Sequence, residues 1–437
     1  MTTSFVRSEL VTPDAPPASL VGPVGWVRKN LFSSIPNAVL TLVGAYIAYK
    51  LVWSFVDFTI VRAVWTGADR EACLDAKVGW AVGACWPFIW AKFGQFMYGF
   101  YPVEFRWRVN LTYIIAILLL VPLLIPKVPY KALNAVLFFG AFPILAFTLL
   151  YGGSIINPWL SVIGWLAVMF AVVLLVAYVL SVIEKKPVAP YLNYGAGILA
   201  VGVSCMLLVR TGLFAEPTMP IVETRQWGGL LVTLVVATVG IVAALPIGVA
   251  LALGRRSKLP MIRFLSVALI EVVRGVPLIT VLFFATYLLP LFLERSPDAL
   301  LRVLVGVSIF SGAYMAETIR GGLQAIPKGQ FEGAQALGLN YPRMMGLIVL
   351  PQALKLVIPG IVNAFIGLFK DTTLVSIVAI FDLLGGLRAG FTDPQWASPV
   401  TLYTGFAFAG IIYFSFCYFM SRYSIFVENR LNTGRRR

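Results

Sequence analysis

Apolar residues along this chain fall into long unbroken runs, with no sustained alternation or heptad pattern. A helix needs ~20 mostly apolar residues to cross ~30 Å of hydrocarbon, and about ten runs approach or exceed that length. They lie near residues 34–56, 108–126, 132–151, 159–181 and 193–210, then near 226–252, 262–290, 300–319, 354–380 and 401–421. Each is predicted as a helix, because hydrocarbon offers backbone N–H and C=O groups no other partner. The expected fold class is all-α, a polytopic transmembrane helical bundle of about ten spans. The stretch from Trp86 to Tyr101 is aromatic and amphipathic. It is expected either along the outer interface or as a marginal span.

Composition agrees: 59% of residues are apolar, 12% are charged, and the mean hydropathy is +0.89. Soluble domains carry about a quarter charged residues. A net charge of +15 is compatible with nucleic-acid binding. The Lys and Arg sit in short connections between apolar runs, however, which is the positive-inside pattern and excludes that partner. With the N-terminus inside, the inner segments hold Arg28-Lys29, Lys127, Lys131, Lys185-Lys186, the cluster from Arg255 to Arg263, the stretch from Arg320 to Lys355, and Arg435 to Arg437. That is about twice the outer total. Both termini are therefore expected in the cytoplasm. Residues 1–33 read as a retained tail around Pro13, Pro16 and Pro17. The chain has no histidine and no cluster of zinc-ligand type, so the commonest proton shuttle and metal ligand is missing. Of four cysteines, Cys205 and Cys417 lie inside apolar runs. Cys73 and Cys85 share the long outer loop 56–107, where they are either a disulfide or two free thiols.

The chain divides near residue 211. An accessory region, 34–210, is rich in aromatic residues and poor in polar motifs. A linker, 211–225, leads to a second half, 226–421, followed by a basic tail, 422–437. Charges enter the spans mainly in the second half. Its connection from Arg320 to Lys355 is far longer than a bare loop needs. Pro327 and Gly329 open a helix, with Glu332 early in it where a negative charge suits the dipole. Gly333, Ala334 and Ala336 present small residues that permit close approach by another protein. Gly338 can take the left-handed stop conformation, and Tyr341-Pro342 restarts a second helix.

The spacing of Glu332-Gly333-Ala334, Gly338, Ile348, Leu350 and Pro351 resembles the EAA loop of binding-protein-dependent ABC importer permeases. Gly333 stands where that family usually has Ala. The likeness extends from 226 to 421 through GGLLVTLVVATVGIVAALPIGVALALGR, IEVVRGVPLITVLFF, SGAYMAETIRGGLQAIPKGQFEGAQALGL and LPQALKLVIPGIVNAFIGLFKDTTLVSIVAI. These segments are similar to polar and general L-amino-acid permeases. The resemblance implies five extra N-terminal spans ahead of a five-span type I importer core, with 320–353 as the cytoplasmic coupling loop. It implies a sister permease subunit, two cytoplasmic ATPase subunits and a periplasmic binding protein. ATP and magnesium would then sit on the ATPases, since the chain has no G-x-x-x-x-G-K-[ST] phosphate cradle. The function expected is import of L-amino acids driven by ATP on separate subunits. Two alternatives are an amino-acid carrier driven by an ion gradient and a membrane scaffold or enzyme. The absence of nucleophile and metal motifs disfavours the last.

Charges inside a membrane must be paired, wetted or turned to the protein interior. Asp371 is the candidate acceptor for a substrate ammonium group, with Thr372, Thr373 and backbone amides serving the carboxylate. Glu271 and Arg274 are either further path residues or an internal ion pair, and Lys370-Asp371 can instead brace the subunit interface. Glu317 and Arg320 read as a helix-surface pair. Relatives that import basic amino acids can carry an acid seven residues before this aspartate. Here that residue is Ala364, which favours broad, polar or acidic substrates. Pro246, Pro277 and Pro359 read as kinks within core spans, or as points that permit the rocking of alternating access.

Overall fold

The computed structural model describes residues 22–154, 156–183, 189–212 and 218–431. The N-terminal tail as far as residue 21, Lys185-Lys186, residues 213–217 of the linker and Arg435 to Arg437 lie outside the described residues. Among the described residues the regular structure is helical, with isolated bridges and no strands. Among the described residues seven helices are long and apolar enough to cross a membrane, and a bent pair makes an eighth if it is one span. All ten expected runs meet helices. Two of them, Ile156–Ile183 and Ala189–Arg210, contribute the shorter apolar stretches Ile156–Val172 and Gly195–Arg210.

The chain forms two compact units. The smaller comprises residues 1–89 and 395–404. Its helix α1 (Ile35–Val56) starts where the Ser34 hydroxyl accepts the Asn37 N–H and Pro36 sets the first turn. No residue of α1 is buried, as suits a helix surrounded by lipid. Beyond it the loop folds on itself. Cys73 and Cys85 form a disulfide, with Cα atoms 5.7 Å apart and both side chains buried. The amide of Cys85 donates to the Thr404 hydroxyl at 2.9 Å. Helix α2 (Trp86–Tyr98) is 13 residues long, about 20 Å, too short to span.

The larger unit holds the core. Helices α3 (Gly229–Arg255) and α4 (Ala299–Gln324) make its tightest pair. Small residues let them touch: a Cβ on Gly248 would lie 2.6 Å from Met315 Cγ. One buried cluster surrounds Trp227, Val236, Leu282 and Val303, towards the first residues of these helices. A second surrounds Ala252, Met315, Ile319 and Leu323, towards their last residues, and takes in the connection that follows.

The kink expected at Pro277 is present, and one expectation changes. Pro260–Gly275 (α5) and Leu278–Phe292 meet at 106°, because Val276, ahead of Pro277, is extended (φ −113, ψ 137). The run 354–380 starts later, at Ile358–Asp371 (α6), so Pro359 sits in a first helical turn and does not kink a span. Arg108 is buried with no carboxylate partner among the described residues. It donates to the Pro220 carbonyl at 2.8 Å and lies 4.5 Å from the Phe105 ring, fastening the linker to the accessory helices.

Candidate functional site

The connection after α4 is a built object. Helix α7 (Lys328–Ala336) follows Pro327, which holds an extended ψ of 140° at its N-cap. It ends in a Schellman motif: Leu339 N–H donates to the Ala334 carbonyl at 3.1 Å and Gly338 N–H to Gln335 at 2.9 Å. Gly338 has φ +72, the left-handed conformation its lack of Cβ allows at little cost. Asn340 then caps the next helix, Tyr341–Met344, by accepting the Arg343 N–H at 3.2 Å. A π-turn at Met345–Val349 carries Ile348, half-buried, into Leu350–Leu356, where Leu350 is half-buried and Pro351 exposed. The hook is joined to this last helix by Gln352 Nε2 donating to Gln330 Oε1 at 2.9 Å.

Helical periodicity divides the faces of α7. Ala334 is 2% exposed and packs with Met344, Met345 and Val349. It is therefore an anchor, not one of the surface residues expected for a partner. Gly329, Glu332, Gly333 and Ala336, at i, i+3, i+4 and i+7, form one exposed stripe. A Cβ on Gly329 or Gly333 would meet nothing within 4 Å. Glu332 is the fifth residue of α7, past the first turn, so the expected dipole role is replaced by an exposed carboxylate with no partner among the described residues. Leu337, 77% exposed, ends the stripe.

The last turns of α3 and α4 meet α5 in an ionic cluster. Glu317 pairs with Arg320, as the i, i+3 spacing suggests. It also lies 3.5 Å from Arg255 and 3.6 Å from Arg274. Glu271 bonds Arg255 at 2.8 Å, and Arg274 faces the Tyr314 ring at 5.5 Å. The expected pair of Glu271 with Arg274 is not formed, because neighbouring helices bring each a nearer partner.

Asp371 ends α6, half-buried, with no hydrogen bond or ion pair to its carboxylate among the described residues. Lys370 beside it is exposed. The Thr372 hydroxyl donates to Phe369 and that of Thr373 to Lys370, at 2.8 and 2.9 Å. In this conformation each hydroxyl has a carbonyl of its own helix within donating reach. Ala364, two turns earlier, packs against the hook-side core cluster.

Sequence reasoning missed Asp382, which is fully buried. It accepts from Gly385 N–H at 2.8 Å, capping helix α8 (Leu383–Phe391), and from the Tyr413 hydroxyl at 3.2 Å. The next amide, of Leu383, donates to Thr233 of α3 at 3.0 Å. Burial pushes the Asp382 carboxyl up to about 6, against the amides of Gly385 and Leu384, the Tyr413 hydroxyl and the charge of Arg388. The available signal was a lone acid directly before Leu383-Leu384-Gly385, an N-cap pattern.

A many-helix membrane bundle with an ordered helical hook presenting a bare stripe is the frame of a membrane transport subunit. Residues 244–432 match the family described as binding-protein-dependent transport system inner membrane component. The chain is 42% identical over 412 residues to the inner membrane amino-acid ABC transporter permease YhdY of Escherichia coli K12, covering 94% of this chain and 93% of the relative. It is 40% identical over 446 residues, 99% of each chain, to the glutamate/glutamine/aspartate/asparagine transport system permease BztC of Rhodobacter capsulatus. A solved amino acid ABC transporter with histidines is matched at a TM-score of 0.41 and 29% identity, over 46% of this chain and 92% of that one. The chain belongs to the amino-acid ABC transporter permeases, multi-pass inner-membrane components of ATP-driven, binding-protein-dependent importers. This sets aside the ion-driven alternative. The alignments to the two permeases also run through the first half, so the accessory region belongs to the shared layout.

Proposed function

We propose that this permease imports polar or acidic L-amino acids, pairs with a sister permease, and takes force from two cytoplasmic ATPases through α7. The observation that carries the reading is the bare stripe of Gly329, Glu332, Gly333 and Ala336, backed by the buried anchor Ala334. A helix held by one face and open on the other can dock in a groove and transmit displacement. The Gln330–Gln352 bond and the packing of Gly322 on the Ala353 carbonyl, which a Cβ would approach to 2.7 Å, pass that displacement towards α4. ATP and magnesium act on the partner ATPases, and this chain holds no ATPase site of its own. A periplasmic binding protein delivers substrate, and both termini lie in the cytoplasm. The Cys73–Cys85 disulfide supports that orientation, since disulfides persist in oxidising compartments.

For substrate, the printed name of the Rhodobacter relative includes glutamate and aspartate, and Ala364 supplies no anion for a cationic side chain. Asp371, unpaired and half-buried, receives the ammonium group common to all amino acids. The test is uptake in proteoliposomes holding the whole transporter. Glu332→Lys is expected to abolish ATP-coupled uptake with membrane insertion intact, and normal uptake would remove the coupling role. Asp371→Asn is expected to reduce uptake with assembly unchanged, and full uptake would assign Asp371 to the interface instead.

A further inference from the structure

A cavity of about 750 Å³ opens between the α3–α5 turn and the hook, within the ~300–1,000 Å³ range of small-molecule sites. Its polar side carries Arg256, Ser257 and Lys258, and among the described residues its lining contains no Asp or Glu. Arg256 is held in place: it donates to the Leu323 carbonyl at 3.2 Å, and its guanidinium faces the Phe331 ring at 5.5 Å. Lys258 is exposed and has no hydrogen bond or ion pair among the described residues. The nearest acids are spent elsewhere. Glu271 and Glu317 hold Arg255, Arg274 and Arg320, and Glu332 belongs to the exposed stripe. Two cations thus border one cavity with no counter-charge among the described residues.

The rest of the lining is apolar and includes Leu259, Ile262, Met344 and Met345. Ile262 also lies on α5, where Met261, Phe264 and Leu265 are 67%, 66% and 58% exposed. The 106° bend separates α5 from the helix that follows, and its exposed apolar side chains suit a helix lying in the interface. A cationic rim therefore runs continuously into an apolar helix face. We propose that this cavity binds the phosphodiester headgroup of an anionic phospholipid of the inner leaflet, with an acyl chain along Met261, Phe264 and Leu265. Arg256 and Lys258 neutralise the phosphate. Because Phe331 and Gln335 of α7 line the same cavity, the lipid braces the hook from the face opposite its bare stripe.

The experiment is native mass spectrometry of the detergent-purified transporter, titrated with phosphatidylglycerol or phosphatidylcholine. Phosphatidylglycerol is expected to be retained and phosphatidylcholine not. The Arg256→Gln/Lys258→Gln variant is expected to lose about 30-fold in retention, the effect of two cations near a membrane surface. Lys127→Gln, a basic change outside the cavity, leaves retention unchanged, and millimolar inorganic phosphate does not displace the lipid. Equal retention by the double variant, displacement by inorganic phosphate, or loss of the ATPase subunits from that variant at constant lipid would each overturn the proposal. The last outcome would mean that the ATPase covers the cavity. Retention is read without transport, so a failure here is separable from a failure of the coupling reading.

Discussion

Glu317→Gln tests whether the ionic cluster holds the hook ends of α3, α4 and α5 together. Glu317 serves three guanidiniums, Arg320 in direct contact and Arg255 and Arg274 at 3.5 and 3.6 Å. Its side chain is 24% exposed. Exposed pairs contribute up to ~1 kcal/mol, whereas breaking a buried one costs about 3–5 kcal/mol. A quarter-exposed carboxylate with three partners falls between, at about 2–3 kcal/mol. After the change Glu271 still holds Arg255, so the cost falls mainly on Arg274 and on Arg320, which keeps only the more distant charge of Glu271. Removing one of those cations as well, in Glu317→Gln/Arg320→Gln, is expected to recover about 1 kcal/mol, since the two sites share one interaction. The assay is equilibrium unfolding by SDS in mixed micelles, run on both single variants and the double. A loss below about 0.5 kcal/mol in Glu317→Gln, or strict additivity in the double variant, would refute the cluster as a fastener.

Asp382 makes stability depend on pH. Its folded value of about 6 against an ordinary 3.8 means the folded chain holds the proton more tightly. That stabilisation is full below pH 4 and is lost as pH rises through 6, about 3 kcal/mol in all. Asp382→Asn keeps an acceptor for Gly385 and is expected to flatten the slope between pH 4 and 6 in thermal unfolding, so an unchanged slope would exclude Asp382 as its source. Gly338→Val places a β-branched residue at φ +72 and is expected to cost roughly 1–2 kcal/mol and most coupled uptake, while Gly338→Asn retains both. Wild-type uptake from the valine variant would show that the turn is not needed. Maleimide-PEG applied in SDS is expected to mark only Cys205 and Cys417 without reductant, and all four cysteines with it. Four adducts without reductant would disprove the bridge.

The spans and the hook were legible from the residues because hydropathy and turn chemistry are local. A run of apolar residues must be a helix in hydrocarbon whatever surrounds it, and a glycine after Ala336-Leu337 ends a helix by its own backbone. The bend at Val276-Pro277 was legible as a proline kink, although its size, 106°, was not. Three features depended on neighbours. Ala334 faces inward because Met344 and Val349 fold back over it. Glu271 bonds Arg255, 16 residues away, and not Arg274, three away, because packing sets α5 beside the end of α3. Asp382 has a role only because α3, α8 and the helix carrying Tyr413 converge on it. A charge takes the nearest opposite charge or dipole, and distance between helices is a property of their packing, which no single segment of the chain contains.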